Sequence, residues 1–246
     1  MWRVWGRWAW LDVKQRYRRS VIGPFWTTIS LGVTVAGIGG VFSILWRIDI
    51  GTLIPHLATG LILWTFISSV VVEGTSVFAS NGDVIKSINL PMSLHVYRFI
   101  CKNAIIFLHN FIIYVFVVLL FDVSVGWVAF LAIPGLILYL LNALWVVFFL
   151  GVLCTRYRDI PQVIQNLILL MFFITPIFWF AETLGSAQII VNYNVMAHFI
   201  DLVRLPLLNQ YPHELTWVVV GSVTILGWAI TLPFYERYRR RTPNWL

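Results

Sequence analysis

Residues 127–154 read WVAFLAIPGLILYLLNALWVVFFLGVLC, a run of 28 residues without a charged side chain. A helix needs about 20 mostly apolar residues to cross a bilayer, so this run is long enough to span a membrane. Short polar connections separate it from five further apolar runs, at 22–46, 53–72, 99–121, 163–180 and 215–234. The chain has 246 residues, of which 60% are hydrophobic and 11% charged, so no separate soluble domain fits. We therefore expect one all-α integral membrane domain, residues 1–246, with six transmembrane helices.

The positive charges orient these six spans. Of the 17 Lys and Arg residues, 15 fall before span one, around the connections after spans two and four, or in the C-terminal tail. Only Arg47 and Arg204 fall on the opposite side. Because basic residues mark cytoplasmic loops, we expect both termini in the cytoplasm. The same rule, together with contacts to anionic membrane lipids, accounts for the net charge of +7, so no nucleic-acid partner is inferred.

The N-terminal segment has the pattern of an amphipathic helix. On a helical wheel one side carries the basic residues Arg3, Arg7, Lys14 and Arg18. The other side carries the apolar residues Trp2, Trp5, Trp8, Ala9 and Val13. Indole rings favour the depth of the lipid headgroups, so residues 1–21 are predicted to form a cytoplasmic interface helix. A role limited to anchoring the topology fits this pattern equally well.

The longest cytoplasmic connection, residues 73–98, predicts a short amphipathic helix. Breakers at Gly74, Asn81–Gly82 and Leu90–Pro91 enclose it. Between them stand the mixed apolar and charged residues Asp83, Val84, Ile85, Lys86, Ile88 and Leu90. A chain without a soluble domain could use such a helix to dock a partner. An ordinary surface helix is the alternative.

Residues 181–214 are too polar for a full span and too apolar for a simple loop. Half-length apolar segments of this kind usually enter the membrane only part of the way. We expect an outer-face re-entrant segment with two short half-helices before the last span. They would either cap the exit of a pathway or pack at the interface.

The motifs of catalysis are missing. The sequence contains no GxxxxGK[ST], HExxH, GxSxG or CxxC, and its five histidines lie at no metal-ligand spacing. We therefore expect no enzyme, no metal site and no cofactor bound by this chain. Transport against a gradient remains, and it needs an energy source in another subunit.

The aromatic content favours a glycan as cargo. The chain has 13 Trp and 18 Phe residues, more than two interfacial belts need. Several cluster at span ends, among them Phe25, Trp26, Phe178 and Trp179. Aromatic faces can pack on the apolar C–H faces of sugar rings. Anchoring in the lipid belt explains most of these rings equally well.

Three stretches carry a family resemblance: DVKQRYRRSVIGPFW at 12–26, EGTSVFASNGDVIKSINLP at 73–91 and TRYRDIPQVIQNLILLMFFITPIFW at 155–179. They resemble the membrane subunits of ABC transporters that export O-antigen, capsule or teichoic-acid chains. The likeness runs almost end to end and includes the six spans and the half-helices. Order and spacing together are more specific than any one stretch.

The resemblance implies a homodimeric permease in the bacterial inner membrane, paired with two copies of a cytoplasmic ATPase subunit. ATP and Mg would bind to that partner. The coupling residues that would sit in a groove of the ATPase are Asp83, Val84, Ile85, Lys86, Ile88, Leu90 and Pro91. The resemblance also implies that the pyrophosphate of the lipid carrier meets Arg16, Arg18 and Arg19 near the cytoplasmic mouth. Spans one and five of the two copies would line a conduit that includes Phe25, Trp26, Phe178 and Trp179.

The function expected on these grounds is export of a polyprenyl-pyrophosphate-linked polysaccharide, such as O-antigen for lipopolysaccharide biosynthesis, across the inner membrane. Two alternatives remain open. One is an ABC exporter permease for a smaller lipid or drug. The other is a membrane assembly factor without a transport cycle.

Overall fold

The computed structural model describes residues 2–16, 23, 25–88, 90–181, 185 and 189–246, and the side chains of 2–4 and 16 lie outside the description. Every regular element in these ranges is helical. The α-helices are α1 (Trp2–Arg16), α2 (Phe25–Trp46), α3 (Ile50–Gly74), α4 (Gly82–Ser87), α5 (Ser93–Leu120), α6 (Ala132–Arg156), α7 (Ile160–Ile174), α8 (Ile189–Asn192), α9 (Val195–Leu207) and α10 (Glu214–Tyr238). Short 3-10 turns occupy Ala79–Asn81, Trp127–Leu131 and Thr242–Asn244.

Five helices are long and apolar enough to cross a membrane: α2, α3, α5, α10, and α6 with the 3-10 turn before it. The prediction of an all-helical fold with several apolar spans is thereby confirmed. The central helix is α3, against which α2, α5, α6 and α7 all pack. It is 67% buried over its apolar window, whereas α2 and α10 are 22% buried over theirs. The outer helices therefore leave broad apolar faces for lipid or for other protein.

The apolar helix α7 is shorter than the span predicted at 163–180. It has 15 residues, a length of about 22 Å. Pro161 occupies its first turn, and Thr175 leaves the helix with φ −84° and ψ 135°. A proline disfavours helical geometry in the residue before it, so Pro176 accounts for the end at Ile174. Residues 175–180 continue the apolar run without forming a helix.

In two of the predicted short helical segments, the structure gives the exact ends of the helices. We call residues 81–91, which the sequence predicts to dock an ATPase, the coupling segment. Within it, α4 ends at Ser87, and Ile88 is extended, with φ −126° and ψ 125°. In the segment 181–214, α8 is a single turn of four residues, whereas α9 has 13 residues. The side chain of Asn194 caps α9 by accepting from the backbone N–H of Met196 at 2.9 Å.

The N-terminal helix α1 packs on α5. Ala9 and Val13, which belong to its predicted apolar side, are buried there. Trp5 lies 6.2 Å from Tyr97 of α5, measured between ring centroids. The apolar side of α1, which the sequence predicts to face lipid, thus partly faces α5 instead.

Candidate functional site

The connection between α3 and α5 is fixed to the bundle by two apolar side chains. Val77 and Phe78 are buried, and both approach Gly151 of α6. A Cβ atom at Gly151 would lie 2.7 Å from Val77 Cγ1 and 2.9 Å from the Phe78 ring, so only glycine leaves room for this contact. We call the pair Val77 and Phe78 the apolar wedge. It joins the connection to α6.

The seven residues predicted to dock an ATPase follow the apolar wedge. The exposed members are Asp83, Lys86, Ile88 and Pro91, and the half-buried members are Val84, Ile85 and Leu90. Ile88 is 50% exposed, which is a large fraction for an aliphatic side chain. The structure brings all seven into one short segment with an outward side and a side against the bundle. Their docking role stays a prediction.

Arg98 of α5 connects this segment to the N-terminal helix. Its guanidinium donates through Nε and Nη2 to the two carboxylate oxygens of Asp12, and Nη1 lies 3.5 Å from Asn81 Oδ1. The same guanidinium lies 5.4 Å from the ring centroid of Trp8. Sequence reasoning used Arg98 only to set the topology. The signal available was Asp12, an isolated acid within a strongly basic segment.

A second ion pair joins α3 to α5 just before the connection. Lys102 Nζ lies 2.8 Å from Glu73 Oε2, and the two side chains are 17% and 37% exposed. Lys102 also lies 4.9 Å from the ring centroid of Phe99. The last turn of α3 is therefore held to α5 shortly before the chain reaches the coupling segment.

Residues 242–246 pack against the start of α4. A Cβ atom at Gly82 would lie 3.6 Å from Leu246 Cβ. Trp245 is held by the guanidinium of Arg156, 5.2 Å from its ring centroid, and by the ring of Tyr238 at 5.9 Å. The start of α4 thus contacts the C-terminal residues, which in turn contact the ends of α6 and α10.

The residues predicted to meet a lipid pyrophosphate are described only in part. Arg16 is the last residue of α1, and its side chain lies outside the description, as do Arg18 and Arg19 entirely. The basic residues Arg7 and Lys14 of α1 are described and exposed. Their exposure agrees with a basic surface on this helix.

The four residues predicted to line a conduit lie in two separate places. Phe25 starts α2, is exposed, and lies 5.5 Å from His109 in an edge-to-face contact. Trp26 follows it and is 57% exposed. Phe178 instead stacks on Phe42, more than four turns further along α2, at 5.7 Å and an interplanar angle of 14°. Trp179 donates through its indole Nε1 to the carbonyl oxygen of Phe173 at 3.2 Å. The structure therefore does not bring the four residues to one place.

A polar groove between α3 and α7 was missed by the sequence reasoning. It has a volume of 440 Å³. Its polar lining consists of Ser68, Ser69, Glu73, Gln162, Gln165 and Asn166. Gln162, Gln165 and Asn166 share one side of α7 because they are spaced by three and four residues. Amides at this spacing in an apolar helix were the available signal, since polar groups in such helices are usually functional.

Aromatic residues continue the polar groove. Trp64 of α3 and Phe172 of α7 line it, with ring centroids 5.7 Å apart. Phe172 in turn lies 5.6 Å from Phe178. Amide and hydroxyl groups followed by tilted aromatic rings form a surface that can bind sugar hydroxyls and sugar C–H faces.

Arg204 of α9 holds the non-helical residues after α7. It is 4% exposed, and it pairs with Asp201 through Nε and Nη2. Its Nη1 donates to the carbonyl oxygen of Pro176 at 2.6 Å and to His56 Nε2 at 2.9 Å. One buried guanidinium thus joins α3, α9 and the segment that carries Phe178. A cavity of 790 Å³ lies beside this network.

A bundle of apolar helices with an anchored, outward-facing connection is the architecture of a polytopic membrane protein. The sequence profile of the ABC-2 type transporter family matches residues 6–208, so the chain belongs to that family. The predicted family resemblance is confirmed.

Three relatives carry the description O-antigen export system permease protein RfbA. The protein of Myxococcus xanthus is 23% identical over 177 residues, which cover 70% of this chain and 66% of the relative. Two proteins of Klebsiella pneumoniae are 25% and 23% identical over 232 and 230 residues, covering 89% of this chain and 87% of each relative.

Proposed function

We propose that the chain is the permease subunit of an ATP-driven exporter that moves a polyprenyl-pyrophosphate-linked polysaccharide out of the cytoplasm. The match to the ABC-2 family over residues 6–208 carries this proposal. The relatives described as O-antigen export permeases supply the substrate class. ATP hydrolysis belongs to a separate ATPase subunit.

The coupling segment transmits force from that ATPase into the bundle. Asp83 and Ile88 are exposed and available for docking, while the apolar wedge joins the same segment to α6 at Gly151. Arg98 extends the link to α1 and α5 through Asp12 and Asn81. A displacement of α4 would therefore move several helices together as a rigid body.

A sixth membrane crossing is completed by residues outside regular helix. The 15 residues of α7 reach about 22 Å, short of the roughly 30 Å hydrocarbon layer. Residues 175–180 continue the apolar run beyond α7 as a series of bends, in which the N–H of Ile177 donates to the carbonyl oxygen of Thr175 at 2.8 Å. The network around Arg204 satisfies the Pro176 carbonyl, as a non-helical backbone at membrane depth requires. With six crossings of the bacterial inner membrane, both basic termini lie in the cytoplasm.

Two copies of the chain form the conduit. Val33, Val41 and Ile44 leave α2 with an exposed apolar side, at 68%, 63% and 83% exposure. The polar groove lies between α3 and α7. Pairing two such subunits encloses Gln165 and Asn166 in a shared path, where their amides hydrogen-bond sugar hydroxyls. Arg16, Arg18 and Arg19 then receive the pyrophosphate at the cytoplasmic mouth.

The test is removal of the gene from its host, followed by analysis of glycan on each side of the membrane. We expect loss of surface polysaccharide and accumulation of the lipid-linked chain in the cytoplasmic leaflet, both restored by the wild-type gene. Normal surface glycan in the deletion strain contradicts the proposal. An exporter of a smaller lipid or drug leaves surface glycan normal but still co-purifies with an ATPase, whereas an assembly factor co-purifies with none.

A further inference from the structure

We propose that a groove between α10 and the start of α5 binds an anionic phospholipid. The groove has a volume of 520 Å³. We call it the α10 groove and define it by six of its lining residues, Tyr97, Phe148, Trp228, Thr231, Arg239 and Arg240. It belongs neither to the polar groove on α7 nor to the network around Arg204.

Aromatic rings form one wall of the α10 groove. Phe148 lies at their centre, 6.1 Å from Tyr97, 6.4 Å from Trp228 and 4.8 Å from Tyr235 between ring centroids. Tyrosine and tryptophan combine an apolar ring with a polar tip and are enriched at the membrane–water interface. The wall therefore suits the level where lipid headgroups meet acyl chains.

The charges at the mouth of the groove favour one anionic headgroup. Arg239 and Arg240 line it, together with the carboxylate of Glu236, which lies 2.9 Å from Arg239. Two guanidinium groups and one carboxylate leave a single positive charge, which matches the single negative charge of a phosphodiester. Basic pockets between membrane helices on the cytoplasmic side bind such headgroups.

The hydroxyl of Thr231 supplies an independent observation. Thr231 lines the groove, is 1% exposed, and its Oγ1 has no hydrogen-bond partner within the part of the chain that the structure describes. Two turns earlier on the same helix, Thr224 donates to the carbonyl oxygen of Val220 at 2.7 Å. A buried hydroxyl without a partner is costly. An ester or phosphate oxygen of a lipid would accept its proton.

The length of the groove identifies a lipid rather than a soluble anion. From Trp228 to Arg240 it follows α10 and the turn after it for about 17 Å. Leu232 lies between them, lines the groove and is 53% exposed. A free phosphate would use only the arginines, whereas a phospholipid also covers Leu232 and the aromatic wall. Which leaflet supplies the lipid rests on the proposed topology, but binding itself does not.

The opposite wall of the α10 groove indicates what role the bound lipid has in the exporter. Ile85, Leu90 and Pro91 of the coupling segment line the same groove. A bound headgroup therefore contacts the coupling segment and α10 at once. We infer that the lipid holds these two elements together while the ATPase partner engages the segment.

The test measures lipid retention by the full-length chain, using native mass spectrometry with phosphatidylglycerol and phosphatidylcholine. A groove variant, Arg239→Gln with Arg240→Gln, is compared with a flank variant, Arg237→Gln with Arg241→Gln, which removes the same charge outside the groove. We expect wild type to prefer phosphatidylglycerol. The groove variant should lose about 10-fold or more of that preference and the flank variant less than about 2-fold. Equal losses in both variants, or no preference in wild type, overturn the proposal.

Two further measurements separate a lipid site from a simple anion site. A photo-crosslinking residue at Leu232 should capture phosphatidylglycerol in preference to phosphatidylcholine, whereas one at Ile230, an exposed residue of α10 that does not line the groove, should capture both lipids alike. Thr231→Val should weaken retention without lowering the thermal unfolding temperature in phosphatidylcholine. Full competition by soluble glycerol phosphate, or the same lipid preference at both positions, contradicts the lipid assignment.

Discussion

The guanidinium of Arg98 and the carboxylate of Asp12 form a two-pronged ion pair between residues 86 positions apart in the chain. Both side chains are mostly buried, at 23% and 22% exposure. Such paired, charge-assisted hydrogen bonds are stronger and more directional than single ones. The pair fixes the N-terminal helix to α5. Through Asn81, Arg98 also connects that helix to the coupling segment.

Breaking this pair should detach α1 from the bundle. We expect Arg98→Gln to lower the free energy of unfolding by about 1.5–3 kcal/mol, since hydrogen bonds to charged groups contribute that much. Export should fall further than stability alone explains, because α1 and the coupling segment lose their common partner. Thermal unfolding in nanodiscs and a surface-glycan assay measure the two effects.

The matched control is the exposed pair of Glu236 and Arg239, with side chains 59% and 46% exposed. Glu236→Gln should change the unfolding temperature little in phosphatidylcholine nanodiscs, where no anionic lipid competes for Arg239, because exposed ion pairs contribute little. A double-mutant cycle that combines Asp12→Asn with Arg98→Gln should be strongly non-additive. Additive losses contradict a direct coupling between the two residues.

Gly151 offers a test of the apolar wedge. Gly151→Ala places a Cβ atom within 3 Å of Val77 and Phe78, so the connection must shift. Overpacking of this kind costs about 1–3 kcal/mol. The control is Gly221→Ala on α10, where a Cβ atom meets nothing within 4 Å. Equal unfolding temperatures for the two variants would contradict a tight contact at Gly151.

Ile88 tests coupling without disturbing the core. Because half of its surface is exposed, Ile88→Asp should fold and insert normally. We expect it to weaken co-purification of the ATPase and to reduce export about 10-fold or more, while ATP hydrolysis by the free partner continues. Tyr211→Asp, at an exposed position on the opposite side of the bundle, is the control. Normal export by the Ile88 variant excludes a docking role.

Arg204 should be among the most sensitive positions for stability. Arg204→Met leaves Asp201 without its cation and removes both bonds of Nη1, at a cost of about 3 kcal/mol or more. Arg204→Lys should recover little of the lost stability, because an ammonium group cannot reproduce the planar, forked hydrogen bonding of a guanidinium. Arg47→Gln, at an exposed turn, is the control in the same thermal assay. A full rescue by lysine would show that charge alone suffices.

The helices themselves were largely predictable from apolar runs. Residues 22–46 and 99–121 are far too apolar for a soluble fold, and α2 and α5 lie there. The breakers at Gly82 and Pro91 likewise indicated where α4 stands, although its last turn ends at Ser87. Local composition decides such features, because backbone groups in an apolar layer must bond within their own helix.

The end of α7 and the pairing of charges were not predictable in the same way. Hydropathy treats 163–180 as one span, yet the steric demand of Pro176 on Thr175 ends the helix early. The contacts of Arg98 and Arg204 join residues far apart in the chain, at separations of 86 and 148 for Asp12 and His56. Only the packing of whole helices decides which of many charges meet.

The fit of the apolar wedge against Gly151 has an evolutionary consequence. The contact is made by the side chains of Val77 and Phe78 against a glycine, so the combined volume of the residues at 77, 78 and 151 determines whether the connection keeps its position. Related chains that carry alanine or serine at the position of Gly151 should compensate with a smaller residue at Val77 or Phe78. Substitution histories at these three positions should therefore be correlated, while neighbouring lipid-facing positions drift independently.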